Sequence, residues 1–401
     1  MDLGFSADER GFAEEVRTFV RTNLPADIRA RWAETANVLF ASRGDTVRWT
    51  KILHGRGWSA PNWPREHGGP GWSVAQRFLF DTEMALGGAP PLQNQGLKMI
   101  GPVLMAFGTA EQQRRFLPRI AAADDYWCQG YSEPGSGSDL ASLSMRAVPA
   151  GDDYLVDGSK IWTTCAHEAD WIFCLVRTDG SGRKQEGITF LLIDMRSPGI
   201  VIRPLPFLGG QHEFNQVFFD GVRVPQANRV GREGQGWEIA KYLLEYERGG
   251  AFLSHRVRAH IARVRRAARW AVQNGRPIAD DGAFGRRLAD IETSVDAMSW
   301  TEMRLLDRVA RGDRPGPESS ITKLLGARLH LEATELAMEA VGPLAVLLAE
   351  PAEGLASNLE PPAPDLARNA SARYFNHRAN SIMGGTDEVQ RSVLAKGMLG
   401  L

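Results

Sequence analysis

The sequence lacks the features that mark secreted, membrane-spanning and nucleic-acid-binding proteins. Its 401 residues include only three cysteines, Cys128, Cys165 and Cys174, too few and too irregularly spaced for a disulfide framework or a zinc site. Neither charge is in excess, since 47 Lys and Arg face 48 Asp and Glu. This balance indicates no general affinity for nucleic acid or for a membrane surface. The longest apolar runs, such as residues 171–176, are far too short to cross a bilayer.

Targeting and metal-binding patterns are also missing. Residues 1–10 contain no basic region followed by an apolar one, so we predict no signal peptide. With so few cysteines, a reducing cytoplasm is the simplest setting, and we predict a cytoplasmic protein. No metal site is predicted, because the histidines show neither metal-ligand nor triad spacing. We interpret four of them as structural, namely His67, His167, His212 and His377.

The chain divides into three blocks by the periodicity of its apolar residues. The first block reads as helical, with capping-box patterns at Ser6, Ser73 and Thr109. A central block has short β-rich runs bounded by Gly, Asp and Pro, which predicts a small antiparallel β-domain. Long helical segments follow near residues 236–274, 283–312 and 318–349, which predicts a helical bundle. We expect an α+β protein with its ligand in the cleft where the three blocks meet.

The strongest motif begins with a loop rich in serine and glycine, residues 129–139, which we call the serine loop. Its hydroxyl groups come from Ser132, Ser136 and Ser138. Gly135 and Gly137 leave the backbone amides accessible to a ligand. Such a loop can bind a polar ring and anionic groups.

The second half of the motif comprises residues 154–164. An Asp-Gly pair at 157–158 between two β-rich runs predicts a hairpin. Trp162 then forms an aromatic wall beside the hydroxyls of Thr163 and Thr164, close to the serine loop. Either half alone is compatible with a surface loop or a core tryptophan, but the combination is more specific.

Together the two segments resemble the acyl-CoA dehydrogenase family of FAD-dependent enzymes, and the resemblance extends over essentially the whole chain. It implies an N-terminal helical domain (1–122), a middle antiparallel β-domain (123–235) and a C-terminal four-helix bundle (236–401). It also implies an FAD site whose residues are Gln129, Tyr131, Ser132, Gly137, Ser138, Trp162, Thr163, Thr164, Thr386 and Glu388. The family more often has Thr at the position of Ser132. Ser138 matches a position that contacts the acyl-CoA tail.

The catalytic base of the family is missing from its usual position. Much of the family has a Glu immediately before a Gly-Thr pair near the C-terminus, and Gly384 stands there in this sequence. Glu247 matches the helix from which a subset of the family supplies its base through a Glu-Arg pair, here Glu247-Arg248. None of the residues three or four positions from Glu247 along the helix is a cation, so desolvation should raise its pKa, which suits a general base. The alternative is an ordinary glutamate paired across the bundle.

The resemblance implies oxidation of an acyl-CoA thioester to a trans-2-enoyl-CoA, with electrons passing to an electron-transfer flavoprotein. The remaining substrate contacts are predicted at Arg248, Gly384 and Gly385. A base on the helix and a Gly-Gly turn leave room around the reacting carbons, which favours branched, dicarboxylic or polycyclic acyl groups over short linear ones. Fatty acid or steroid side-chain β-oxidation is the implied setting. The alternatives are a flavin oxidase or desulfinase-like lyase on the same fold, and a non-catalytic partner subunit.

Two elements by which homotetrameric members complete a neighbour's FAD site are absent. The segment 270–278 lacks the family's Arg and Phe, and Glu339 stands where a Gln is expected. The resemblance is therefore to the base-bearing subunit of heteromeric, steroid- or pimeloyl-type members. It implies an α₂β₂ assembly with a paralogous chain. A homodimer or homotetramer that uses other contacts, such as Arg276 or Phe284, is the alternative.

Overall fold

The computed structural model describes residues 5–35, 40–249, 253–311, 313, 316–346 and 369–401; for residues 34, 245–249, 309 and 310 it describes the backbone only. The N-terminal part is helical, as predicted. Its helices are α1 (Ala7–Asn23), α2 (Ala26–Glu34), α3 (Arg43–Gly55), α4 (Val74–Leu86), α5 (Gly101–Phe107) and α6 (Ala110–Ala121), with a π-helical turn at Gln95–Ile100 before α5.

The three predicted capping boxes are confirmed. Ser6, Ser73 and Thr109 each accept a hydrogen bond from the backbone N–H three residues later, and the Glu or Gln at that position bonds back to the cap. Each box satisfies two backbone donors that a helix start otherwise leaves open. The helices therefore begin where the sequence pattern places them.

The middle part is a twisted sheet. Its strands are β1 (Trp127–Gly130), β2 (Arg146–Ala150), β3 (Asp153–Thr164), β4 (Trp171–Arg177), β5 (Ile188–Asp194), β6 (Ile200–Pro206), β7 (His212–Pro225) and β8 (Arg229–Val230). The order is β6-β7-β3-β2-β4-β5-β8, with β1 also paired to β4. The sheet is mainly antiparallel, as expected, but β1 and β2 each run parallel to β4. β4 and β5 are buried along almost their whole length, because other elements cover both of their faces.

The predicted hairpin at residues 157–158 is wrong. Residues 153–164 form one continuous strand that pairs with β2 on one side and β7 on the other. Gly158 has φ +140° and lies at a shift in the register with β7, so the Asp-Gly pair forms a bulge instead of a turn. Two partner strands satisfy the backbone on both sides, which overrides the local turn preference of this pair.

The C-terminal part is again helical. It contains α7 (Gly236–Gly249), α8 (Ser254–Trp270), a small hairpin of β9 (Val272–Gln273) and β10 (Arg276–Pro277), then α9 (Gly282–Ala310), α10 (Ser319–Val341), α11 (Ala370–His377) and α12 (Asp387–Leu394). The single helix predicted near 236–274 is wrong, because α7 and α8 are separate helices. None of the described helices combines the length and apolarity needed to cross a membrane.

One hydrophobic core joins the three parts. Phe116 of α6, Trp127 of β1 and Phe173 of β4 belong to the same buried cluster as Ile239 and Leu243 of α7. The rings of Phe116 and Trp127 meet edge to face with centroids 5.4 Å apart. α7 is therefore fixed between the sheet and the N-terminal helices, which is the junction where we expected the ligand.

Glu302 of α9 caps the start of α8. Its carboxylate accepts hydrogen bonds from the N–H of Leu253 (2.7 Å), the N–H of Ser254 (3.2 Å) and the hydroxyl of Ser254 (2.5 Å). Burial nevertheless raises the pKa of Glu302 to about 7, against the effect of these hydrogen bonds. The cap lies only a few residues beyond the end of α7, so it controls where the chain re-enters the bundle.

The stability of the fold should therefore fall as pH rises through neutrality. A carboxyl group with a raised pKa in the folded state favours folding below its ordinary pKa of 4.5 and loses that contribution as pH rises through about 7. This loss amounts to about 3 kcal/mol. We expect Glu302→Gln to reduce the difference in unfolding free energy between about pH 5 and pH 8 by that order, as measured by urea unfolding. An identical pH dependence in the variant and the wild type would contradict this assignment.

Candidate active site

The serine loop follows β1 and is folded by its own backbone. Glu133 and Ser136 exchange two hydrogen bonds, N–H to O, of 2.8 and 3.0 Å. A Cβ added at Gly135 or Gly137 would meet no atom within 4 Å. The glycine backbone therefore faces open space, which a ligand can approach.

The three serines of this loop have different environments. Ser136 is buried, and its hydroxyl donates to the carbonyl of Asp139 at 3.0 Å. This corrects the expectation that Ser136 offers a hydroxyl to a ligand. Ser138 is exposed and Ser132 is half-buried, so these two retain accessible surface. Gln129 is half-buried and Tyr131 is buried, and both lie at the end of β1 or just beyond it.

A buried ion pair attaches the serine loop to β3. The ammonium of Lys160 lies 2.8 Å from Oε1 of Glu133 and donates to the carbonyl of Tyr131 at 3.2 Å. Glu133 also accepts the N–H and hydroxyl of Ser144 and the N–H of Met145, at 2.7 to 3.0 Å. Burial opposes the ionised form of Glu133, but Lys160 and these donors outweigh it and lower its pKa. Burial lowers the pKa of Lys160, and the charge of Glu133 opposes that effect. The two groups form a buried pair in which both oxygens of Glu133 accept hydrogen bonds.

Trp162 lies directly beyond this attachment. The N–H of Ile161 donates to the carbonyl of Ser132 at 2.8 Å, which holds the two halves of the motif side by side as predicted. Trp162 has φ +59° within a register shift of β3, and its side chain is 59% exposed. A large apolar ring held open in an unfavourable backbone conformation is typical of a ligand platform. Its described aromatic neighbour is Phe214, edge to face at 6.3 Å.

The two threonines after Trp162 differ in burial. Thr163 is fully buried, and its hydroxyl has no hydrogen-bond partner among the described residues. Thr164 is half-buried and alternates with Thr163 along the strand, so it shares the open face with Trp162. The side chain of Thr163 therefore packs into the domain, whereas Thr164 remains available to a ligand.

Two stacked histidines, one just after β3 and one at the start of β7, lie beside the same strand. His167 and His212 lie face to face with ring centroids 4.1 Å apart. Asn215 joins them, since its side chain lies 3.1 Å from Nδ1 of His167 and 2.7 Å from Nε2 of His212. The same amide donates to the carbonyl of Thr163 at 3.1 Å. Burial and the neighbouring His212 lower the pKa of His167, so a neutral imidazole is favoured.

The C-terminal turn is built around two glycines in the left-handed region. Gly384 and Gly385 have φ +66° and +87°. The amide of buried Gln390 donates to the carbonyl of Gly384 at 3.1 Å, and its Oε1 accepts the hydroxyl of Ser320 at 2.7 Å. A glutamate at position 384 would be strained in this conformation. The backbone of this turn therefore disfavours a glutamate at position 384, where the sequence has none.

The two predicted FAD contacts beyond this turn have other roles in the structure. Thr386 caps α12 by accepting the N–H of Val389 at 3.2 Å, and its hydroxyl proton remains free to donate to another group. Glu388 is exposed, and its Oε1 lies 3.8 Å from Nη1 of Arg391. No described contact joins Glu388 to the serine loop or to Trp162.

The predicted base belongs to α7, but its side chain lies outside the described residues, as does that of Arg248. The backbone places position 247 on the helix, four and eight residues after the buried Leu243 and Ile239. The sequence reasoning missed the cap that Glu302 provides beyond this helix, because a contact across 48 residues leaves no local pattern.

Comparisons with known proteins cover all three parts of the chain. The acyl-CoA dehydrogenase N-terminal domain matches residues 6–124, the middle domain matches residues 128–222 and the C-terminal domain matches residues 234–399. The chain is 38% identical over 358 residues to acyl-CoA dehydrogenase IpdE1 of Mycobacterium tuberculosis, covering 88% of this chain and 87% of that protein.

Solved structures give the same result. A structure described as the Tcur3481-Tcur3483 steroid ACAD superposes with a TM-score of 0.85 at 29% identity, covering 100% of this chain and 99% of that one. A chain of the ChsE4-ChsE5 complex from Mycobacterium tuberculosis gives a TM-score of 0.83 at 31% identity, with 100% and 99% covered.

Breaking the ion pair between Lys160 and Glu133 should unfold the site. We expect Lys160→Met to lower the unfolding free energy by about 3–5 kcal/mol, because it leaves a buried carboxylate without its counter-ion. The matched control is Lys184→Met, which removes an exposed pair with Asp139 on the same loop. That change should cost no more than about 1 kcal/mol. Equal losses in urea unfolding would show that burial of the pair is unimportant.

Proposed function

The chain belongs to the acyl-CoA dehydrogenase family, and from that premise we propose that it oxidises an acyl-CoA thioester to the trans-2-enoyl-CoA with FAD as its cofactor. The observation that carries this proposal is the open face formed by Trp162 beside the serine loop. An exposed indole next to accessible hydroxyls and a glycine backbone fits a planar, polar ring system. FAD, when bound, supplies a hydride acceptor.

The residues that would hold FAD are those of the open face. Trp162 would pack against the flavin ring, and Ser132 and Thr164 would offer hydrogen bonds to its polar edge. Gln129, Tyr131 and Gly137 line the approach, with Ser138 shared between cofactor and acyl-CoA. Thr386 and Glu388 are proposed contacts from the C-terminal part. The side chain of Thr163 is buried, so its proposed contribution comes from its backbone position in β3.

We assign the proton abstraction to Glu247. The carboxylate would take the proton from the carbon next to the thioester carbonyl, and Arg248 would bind the substrate beside it. Gly384 cannot act as a base, and its backbone conformation disfavours any side chain. The absence of side chains at Gly384 and Gly385 leaves room for a bulky acyl group. The relationship to a structure described as a steroid ACAD supports a steroid-derived or other polycyclic acyl-CoA.

The active enzyme is proposed to be an α₂β₂ heteromer with a paralogous chain, and its electrons are proposed to pass to an electron-transfer flavoprotein. Glu339 is paired with Arg287, so it has a partner within this chain. Phe284 is buried in the helical core, which leaves it unable to reach a neighbour's FAD. Complexes of two different chains among the similar structures support this arrangement.

Replacing the proposed base should stop the reaction without emptying the site. We expect Glu247→Gln to lower kcat by about 10²–10⁴-fold, because general-base catalysis contributes that much. Dye-reduction kinetics with a panel of linear, dicarboxylic and steroid-derived acyl-CoAs would measure it. The ratio of flavin to protein should not change in this variant, whereas Trp162→Ala should lower it. Activity within a few-fold of the wild type would rule Glu247 out.

The assembly can be tested by expressing the chain alone and together with its paralogue. We expect the chain alone to bind flavin weakly, and the co-expressed pair to hold one FAD per two chains. Native mass and flavin absorbance would measure both quantities. A homo-oligomer with one tightly bound FAD per chain and full turnover would exclude the heteromer.

A further inference from the structure

Three histidines that are remote in sequence meet inside the helical part. His260 lies on α8, His330 on α10 and His377 on α11. Their ring centroids are 4.8 to 5.2 Å apart, with His330 and His377 stacked and His260 perpendicular to both. The pattern of the sequence does not reveal this cluster, because its members are separated by 70 and 47 residues.

Two arginines complete the cluster, which we call the His–Arg cluster. Arg373 precedes His377 by one helical turn, is buried, and donates to the carbonyls of Thr35 at 2.9 Å and Ala33 at 2.7 Å. Arg263 follows His260 by one turn and reaches the carbonyl of Trp32 at 3.4 Å. Within the described ranges, neither guanidinium has a carboxylate partner.

Every ionisable side chain of the His–Arg cluster is basic. Burial and the neighbouring Arg266 lower the pKa of Arg263 to about 10. Burial, the other two imidazoles and the adjacent arginines also lower the pKa of His260. Arg373 is buried and Arg263 half-buried. A buried cation without a counter-ion is highly unfavourable, so Arg373 requires negative charge that the described residues do not supply.

A metal ion does not fit the cluster as well as an anion does. Each histidine can bring one ring nitrogen to within 4.8 Å of the others, and tetrahedral zinc ligands lie about 3.4 Å apart because the bonds are about 2.0–2.1 Å, so distance alone does not decide between a metal and an anion. A divalent cation would also be repelled by the two guanidinium groups. The Nδ1 of buried His330 has no hydrogen-bond partner among the described residues, so it can donate to an incoming oxygen. Side-chain surface of His260 and Arg263 remains accessible, which leaves a way in.

We propose that the His–Arg cluster binds an oxyanion, either a phosphate or a carboxylate group. Arg263 and Arg373 supply the countercharge, and His260 and His330 supply hydrogen bonds. Two sources share this chemistry, namely the diphosphate of the cofactor and a free carboxylate on the acyl group. Both sources rest on the proposed function, whereas the binding of inorganic phosphate by the cluster does not.

The first test uses thermal unfolding of the full chain, free of flavin, in inorganic phosphate and in chloride at equal ionic strength. We expect phosphate to raise Tm by about 2 °C or more, because a ligand that binds only the folded state stabilises it. Arg263→Gln and His260→Gln should abolish the increase. The control is Arg269→Gln on the exposed side of the same helix, which should retain it.

The two sources are separated by repeating the measurement with FAD bound. Loss of the phosphate response, together with lower flavin content in Arg263→Gln, identifies the cofactor's diphosphate. If the phosphate response persists with FAD bound, the next measurement compares adipoyl-CoA with hexanoyl-CoA. The acyl group of the first ends in a carboxylate and that of the second in a methyl group. Arg263→Gln should then lower kcat/KM for adipoyl-CoA by at least about tenfold and leave hexanoyl-CoA nearly unchanged.

Each outcome bears on the proposal separately from the enzymatic activity. If neither thioester is oxidised, the proposed function fails, but the phosphate response still tests the cluster. Absence of any phosphate response overturns the oxyanion site. So does stabilisation by Zn²⁺ that a chelator reverses and His260→Gln removes, since a metal site would then be the correct assignment.

Discussion

The geometry of the candidate active site depends on one buried ion pair, between Lys160 and Glu133. It holds the serine loop against β3, a strand of the central sheet. Lys160 is completely buried, and the carboxylate of Glu133 accepts hydrogen bonds from three further donors, the N–H and hydroxyl of Ser144 and the N–H of Met145. A pair of this kind is weak evidence for stability, because desolvation offsets much of its attraction, but it permits only one arrangement of the groups around it. The open face of Trp162 results from that restriction.

A second constraint comes from the backbone of the C-terminal turn. Gly384 and Gly385 occupy conformations that other residues rarely adopt, and the side-chain amide of Gln390 donates a hydrogen bond to the carbonyl of Gly384. The turn therefore contributes space to the candidate site and carries no side chain at Gly384 or Gly385 that could act as a base. The proposed base belongs to α7, which a hydrophobic core holds between the sheet and the N-terminal helices. Glu302 caps the start of α8, the next described helix along the chain.

Buried polar groups of two kinds thus shape this protein. Glu133 and Lys160 neutralise each other, so their network serves mainly to position the loop. Around Arg263 and Arg373 the charge is not neutralised within the described residues. Low dielectric surroundings make an unbalanced charge costly, and a protein retains one chiefly where a ligand or partner balances it. The neutralised pair of Glu133 and Lys160 is therefore a structural network, whereas the arginines of the His–Arg cluster mark the proposed binding site.

Much of this protein could be predicted from its sequence, because the relevant signals are local. Capping boxes at Ser6, Ser73 and Thr109 depend on residues three apart, and the motif of the serine loop and Trp162 is contiguous within each half. The sequence by itself therefore determined the three-part architecture, the family and the candidate ligand face. Only the tertiary structure decided the features set by distant partners. Strand β3 continues through its Asp-Gly pair because β2 and β7 hold both of its edges, Ser136 turns inward, and His260, His330 and His377 meet across three helices. The physical reason is that such contacts form between residues far apart in the chain, where no local periodicity records them.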